Sequence, residues 1–147
     1  MMPAPTPLAY QRPIGRFGEF TLQAVWTNAE ADDFEDVKVL DIEVLSGKYN
    51  DSRFAVTSIR WASEGLLSAD VEFDSVPRSA EGIVLNITPD ASSGAIDFRD
   101  YPNGCKSEPN RDGPGNLVVT TRGALAGSEL FLSGTYMEKG TKNPGAA

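Results

Sequence analysis

The chain contains no histidine and only one cysteine, Cys105. The first absence removes His-ligated metal sites and every Ser–His or Cys–His nucleophilic mechanism. The second excludes an internal disulfide and any cysteine-based zinc cluster. Basic residues are also scarce: 13 Lys and Arg stand against 21 Asp and Glu, a net charge of −8. Phosphate recognition needs a basic patch, so no nucleic-acid partner is expected. No apolar run approaches the roughly 20 residues of a membrane-spanning helix, and the N-terminus lacks the charged-then-apolar layout of a signal peptide. No membrane partner is expected either, and the balance of residues reads as a soluble, acidic domain made inside the cell.

A length of 147 residues suits one domain. A chain of that size buries about 68% of its unfolded surface, enough for a core without covalent staples. The 7 Phe, 4 Tyr and 2 Trp within a 40% apolar composition supply that core. From Glu19 onward the apolar period is two. Phe20, Leu22 and Trp26 form one run, and Leu40, Ile42 and Val44 alternate with Asp41 and Glu43. Ile59 and Trp61 share a face opposite Ser58 and Arg60. Leu67, Ala69, Val71 and Phe73 interleave with Ser68, Asp70 and Glu72. Ile83, Leu85 and Ile87 follow, then Ile96 and Phe98, Leu117 to Thr121, and Leu130, Leu132 and Tyr136 opposite Phe131. Alternation of this kind marks strands with one buried face and one wet face. Turn formers such as Gly47, Gly65, Pro77, Pro89–Asp90 and Gly127 separate the runs. About eight strands and no helix result, with Gly65 read as a tight hairpin between the 59–62 and 66–73 runs. The expected fold is all-β, an antiparallel β-sandwich with the jelly roll as one form of it.

Residues 1–18 carry Pro3, Pro5, Pro7 and Pro13 together with Arg12 and Arg16, and no acid. Proline fixes φ and pushes its predecessor toward extended backbone, so this segment reads as an extended N-terminal arm with Leu8, Tyr10 and Phe17 as anchors. The β-sandwich domain is then 19–139, and 140–147 a flexible tail. The two ends together carry +3 and the body from Glu19 to Met137 carries −11. The basic arm is therefore able to satisfy the acidic body in cis or to reach an acidic neighbour in trans. Asp100 to Gly115 is a long polar loop rich in Pro and Gly, a feature that usually serves function or stays disordered. The residues singled out for protein contact are Leu8, Tyr10, Arg12, Arg16 and Phe17 in the arm, with Tyr101, Asn103, Lys106 and Arg111 in the loop.

Catalytic and ligand-binding readings fare worse. The acidic run Glu30, Asp32, Asp33, Glu35 and Asp36 lacks the alternating acids, central glycine and distal Glu of a calcium loop, and reads as a solvated connection. Asp70 and Glu72 have the i, i+2 spacing that any wet strand face gives, with no aromatic beside either to raise its pKa. Trp26 and Trp61 share faces with Leu22 and Ile59, which points to the core and away from sugar stacking. Cys105 beside Lys106 has no His or second Cys to work with. Neither G-x-x-x-x-G-K-[ST] nor G-x-G-x-x-G occurs. No enzyme activity, metal or cofactor is expected.

The order of segments is informative. Ile59-Arg60-Trp61 leads through Ser63-Glu64-Gly65-Leu66 to Val71-Glu72-Phe73-Asp74. Ile96-Asp97-Phe98 follows, then an Asn/Gly-rich loop closing on Gly113 to Gly115, Leu117 to Thr121, Gly127 to Leu132, and Tyr136 to Lys139. Over residues 19–140 this order resembles that of small virion structural proteins of tailed bacteriophages, some of which act as capsid decoration (cement) proteins. Phe73 stands where that pattern has Trp. The resemblance implies a virion protein of the capsid surface, made in the host bacterial cytoplasm, that binds the assembled major capsid protein without chemistry; whether it also pairs with itself, as a dimer or trimer, is left open by the sequence. Another virion component (a head–tail adaptor, tail-tube or baseplate protein) is the alternative, with a carbohydrate-binding module behind it.

Overall fold

The computed structural model describes residues 3–15, 17–42, 50–74, 80–101, 104–107 and 115–141. Ten strands occur in them: β1 (Leu8–Ile14), β2 (Phe17–Val25), β3 (Val37–Leu40), β4 (Asn50–Glu64), β5 (Ser68–Phe73), β6 (Ile83–Ile87), β7 (Ser93–Asp97), β8 (Lys106–Ser107), β9 (Leu117–Arg122) and β10 (Glu129–Thr141). Three single 3₁₀ turns lie wholly within the described residues, at Ala80–Gly82, Pro89–Ala91 and Phe98–Asp100. The protein is all-β, and every strand pairing is antiparallel.

The strands form two sheets. The first has the order β1-β2-β10-β4-β7, with β8 also on β4, and the second has the order β3-β9-β5-β6. The pairings are nested in sequence. β5 pairs with β6, β4 outside them with β7, β3 with β9, and β2 with β10. One apolar cluster draws on both sheets. Phe20, Leu22, Val56, Ile59, Leu130, Leu132 and Tyr136 come from the first, and Val39, Ala69, Val71, Phe73, Leu85, Ile87, Leu117 and Val119 from the second.

The expected faces hold within β5, where Ala69, Val71 and Phe73 are buried while Ser68, Asp70 and Glu72 are only half-buried. Leu67, expected inside with them, precedes the strand and is exposed, and Leu66 is buried instead. The expected partners do not. Gly65 takes the positive φ (+76°) that the sequence implied, yet β4 and β5 are not a hairpin. β4 pairs with β10 and β7, and β5 with β9 and β6, so Gly65 carries the chain from one sheet to the other. Alternation specifies which way side chains point and leaves pairing open.

Bulges account for further departures. Ile83, expected inside with Leu85 and Ile87, is 37% exposed while Val84 is buried. Val71 pairs with Leu85 but Glu72 pairs with Ile83, so Val84 is an extra residue that turns Ile83 outward. β3 starts at Val37, earlier than the Leu40–Val44 alternation implied, and a register shift between Lys38 and Leu40 buries both Val39 and Leu40. Val44 lies outside the described residues. Trp26 is fully buried as expected, tilted on Phe34 at 4.9 Å, with its Nε1 donating to the Asp32 carbonyl at 2.8 Å. Trp61 is only half-buried: its ring covers Gly94 and its Nε1 donates to the Ala91 carbonyl.

Candidate interaction surface

The proline-rich segment is extended, as proline requires, but it is not a projecting arm. Residues 8–14 pair along their whole length with β2, from Leu8 opposite Gln23 to Ile14 opposite Phe17. Two residues connect the strands, and the first, Gly15, has φ +65°, the left-handed conformation that short hairpin turns need. Upstream, the Pro3 carbonyl accepts from the amides of Ala31 and Asp32, Pro5 is buried, and Ala4 packs on the core. Gln11 completes the attachment. Its Nε2 donates to the Asp41 carbonyl at 3.2 Å and its Oε1 accepts from the Asp41 amide at 2.9 Å. The N-terminal segment is thus bound in cis, on its own body.

Register fixes which side chains remain outside. Phe20, Leu22 and Ala24 of β2 are buried, so Phe17, Glu19, Thr21, Gln23 and Val25 face away from the core. Their cross-strand partners Ile14, Arg12, Tyr10 and Leu8 share that outer face. Leu8 is 74% exposed, Tyr10 51%, Ile14 52% and Phe17 59%. Four large apolar groups therefore lie together on one edge hairpin, with Arg12 between them. Further across the sheet the same face turns polar and small, with Thr21, Ser133, Thr135, Ser58 and Arg60. Thr135 there shares short hydroxyl contacts of 2.6 Å with Thr57 and Ser58.

Beside the hairpin tip, Ile14 and Phe17 line a hollow of about 330 Å³ that runs to Thr57, Tyr136 and Arg99. Arg99 is held by Asp97 through Nε–Oδ1 at 2.9 Å and Nη2–Oδ2 at 3.0 Å. The hydrogen bonds from Arg99 keep the Asp97 carboxyl below the usual carboxylate range. Burial lifts the Tyr136 hydroxyl above its ordinary value, opposed by a hydrogen bond with Gln11.

The other expected contact residues lie elsewhere. Tyr101 is 54% exposed and stands edge-on to Phe98 at 5.2 Å. Lys106 is half-buried on β8, opposite Val56 of β4. With Phe98 and Cys105 they line a separate hollow of about 430 Å³. β7, just before Tyr101, is four strand spacings from β1, about 19 Å along the sheet. The structure therefore gathers Leu8, Tyr10, Arg12 and Phe17 at one edge and sets Tyr101 and Lys106 at the opposite one. Arg16, Asn103 and Arg111 lie outside the described residues. Ile14 was missed, although it continues the period-two row of residues 8, 10 and 12.

The acidic run proves to be structural in part. Asp33 Oδ1 accepts from Thr121 Oγ1 at 3.0 Å and the Ala124 amide at 2.9 Å, and its Oδ2 accepts from the Gly123 amide at 3.2 Å. Glu30 caps the turn at Thr27, bonding its amide and hydroxyl. Among the described residues no group of three or more metal-ligating side chains converges. What the hairpin edge offers is apolar area, main-chain hydrogen-bonding groups and Arg12 paired across the strands with Glu19. No family model, curated protein or solved structure matches the chain.

Proposed function

We propose that the chain is a non-catalytic virion protein, a capsid decoration (cement) protein that binds and stabilises the assembled shell of major capsid protein of a tailed bacteriophage. The observation that carries this reading is the exposed row Leu8, Tyr10, Ile14 and Phe17 on a hairpin pinned to a folded body. Large apolar side chains held rigidly outside mark a surface made to be covered, and a preformed one loses little entropy when it docks. The resemblance of residues 19–140 to small phage virion proteins supplies the partner. The acidic body keeps free copies soluble and apart.

We also infer that the two sheets stack as an antiparallel sandwich of the jelly-roll type. Its eight strands are β2-β10-β4-β7 over β3-β9-β5-β6, and the nested pairings are those of a long hairpin rolled up on itself. β1 adds an N-terminal strand to that frame. Fold of this kind is compatible with many functions, so the surface row carries the functional reading.

The test is co-sedimentation of the purified protein with expanded shells of the encoding phage stripped of minor proteins. Saturable binding at many copies per shell, weakened by Tyr10→Ser with Phe17→Ser, is the expected result. A folded protein that fails to bind overturns the reading. Ring oligomers of hexamer size or larger in light scattering would move the assignment to a head–tail adaptor or tail component.

A further inference from the structure

The outer edge of β1 carries a pattern of its own. A two-residue connection makes Ile14 and Phe17 the closing, hydrogen-bonded pair of the hairpin, and bonded and non-bonded pairs alternate from there. Pro13 opposite Gly18 then falls in a non-bonded pair, the place where a missing N–H costs the hairpin nothing. Gln11 opposite Phe20 and Ala9 opposite Leu22 have the same parity, so their N–H and C=O groups point away from β2. Among the described residues β1 is the last strand of its sheet, and no strand pairs with that edge.

The open donors are therefore those of Ala9 and Gln11, bracketed by Pro7 and Pro13, neither of which has one to offer. This arrangement is symmetric about Tyr10. We propose that the edge is self-complementary: β1 of one copy pairs antiparallel with β1 of a second copy about a two-fold axis through Tyr10. In that register Ala9 faces Gln11 of the other copy, and each such pair exchanges both its N–H···O bonds. Pro7 faces Pro13, a pair with no N–H on either side, so no donor is left without an acceptor and the bonded stretch ends there. The two Tyr10 rings meet at the axis on the outer face, and Leu8 covers the stem of the opposing Arg12. The two Arg12 charges are kept apart.

Charge selects a second copy as the occupant. Residues 19–137 carry −11 and repel their own kind, whereas residues 1–18 hold Arg12 and Arg16 and no acid. This edge is where two copies of a −8 chain approach without bringing carboxylates together. The prolines limit the bonded stretch to the segment between them, and the Gln11 side chain, already bonded to Asp41, leaves its backbone free for the partner. The dimer does not require a capsid shell; on a lattice it would link neighbouring copies and add avidity to weak individual contacts.

Sedimentation velocity of the full chain tests this, from about 10 μM to about 1 mM, the range in which a small edge-to-edge contact associates. A concentration-dependent dimer is expected. Ala9→Pro removes one open donor without touching the hairpin ladder, so it should abolish the dimer and leave the melting profile intact. In a Cys105→Ser background, Tyr10→Cys should form a covalent dimer under mild oxidation, because position 10 meets itself. Leu8→Cys should not, because position 8 meets Arg12. A wild type that stays monomeric throughout, an Ala9→Pro variant that still dimerises, or equal cross-linking at positions 8 and 10 would each overturn the pairing. None of these readouts involves shell binding, so failure here and failure of the capsid reading are separable.

Discussion

Gln11 holds Asp41 the way one strand holds another. The carboxamide donates to the Asp41 carbonyl and accepts from the Asp41 amide, so a side chain completes a bridge between the edge of one sheet and the end of β3 in the other. It adds a tie to the second sheet to the ladder that already joins β1 to β2.

Replacing Gln11 by Ala should cost about 1–3 kcal/mol, because the buried-side amide and carbonyl of Asp41 lose their partners together. Gln11→Glu keeps an acceptor for the Asp41 amide but sets a carboxylate oxygen against the Asp41 carbonyl, so it should cost at least as much as Ala. Urea denaturation gives both values, and amide exchange should quicken first across β1.

Gly134→Ala should be the most damaging small substitution. The added methyl would run into the Ser58 carbonyl and the Phe20 ring, and a carbonyl inside a sheet cannot move aside. A loss of about 3 kcal/mol is expected. Gly127→Ala, at φ +92° with open space around it, should cost only the backbone strain of about 1–2 kcal/mol. Thermal melts of the pair separate packing from conformation.

Tyr136 makes stability fall at alkaline pH. Burial raises its folded pKa above the unfolded value, so its contribution is complete below about pH 10. It is lost as pH rises from there through the higher folded value, because the unfolded chain ionises first. Tyr136→Phe should flatten the stability curve above pH 10 while leaving the core filled. Denaturant midpoints from pH 8 to 11 check this.

Asp33→Ala should cost about 1–3 kcal/mol by leaving the Gly123 and Ala124 amides and the Thr121 hydroxyl without their acceptor. Millimolar calcium should leave the melting temperature unchanged, since both carboxylate oxygens of Asp33 are already engaged.

How far the sequence could be read follows from what kind of force fixes each feature. Burial repeats along a strand, so the faces of β2, β5 and β10 were visible in alternating Phe20–Leu22, Ala69–Val71–Phe73 and Leu130–Leu132. Pairing has no such repeat. Gly65 carries the same positive φ whether it closes a hairpin or crosses between sheets, and the crossing was invisible. One inserted residue, Val84, was enough to turn Ile83 outward. Of the candidate surface, Leu8, Tyr10 and Phe17 stood out as apolar groups among prolines, while the cis attachment rests on strand pairing with β2 and on Gln11, whose partner lies 30 residues away, and neither leaves a periodic mark. Asp33 was hidden for the same reason: its partners lie 88 to 91 residues downstream.

The nested order of the strands sets the pace at which this protein reaches its native state. Only β5 with β6 and β1 with β2 join sequence neighbours; β4 with β7, β3 with β9 and β2 with β10 each close a longer span. Loop-closure entropy must be met before such distant contacts return anything, so refolding should take milliseconds to seconds, not microseconds. The outermost pair is the last to close. Until β10 settles between β2 and β4, both of those strands present bare edges, and a chain emerging at high copy would be most prone to wrong partners during that interval. A surface carrying −11 over its body protects it there, by repulsion between chains that are not yet folded.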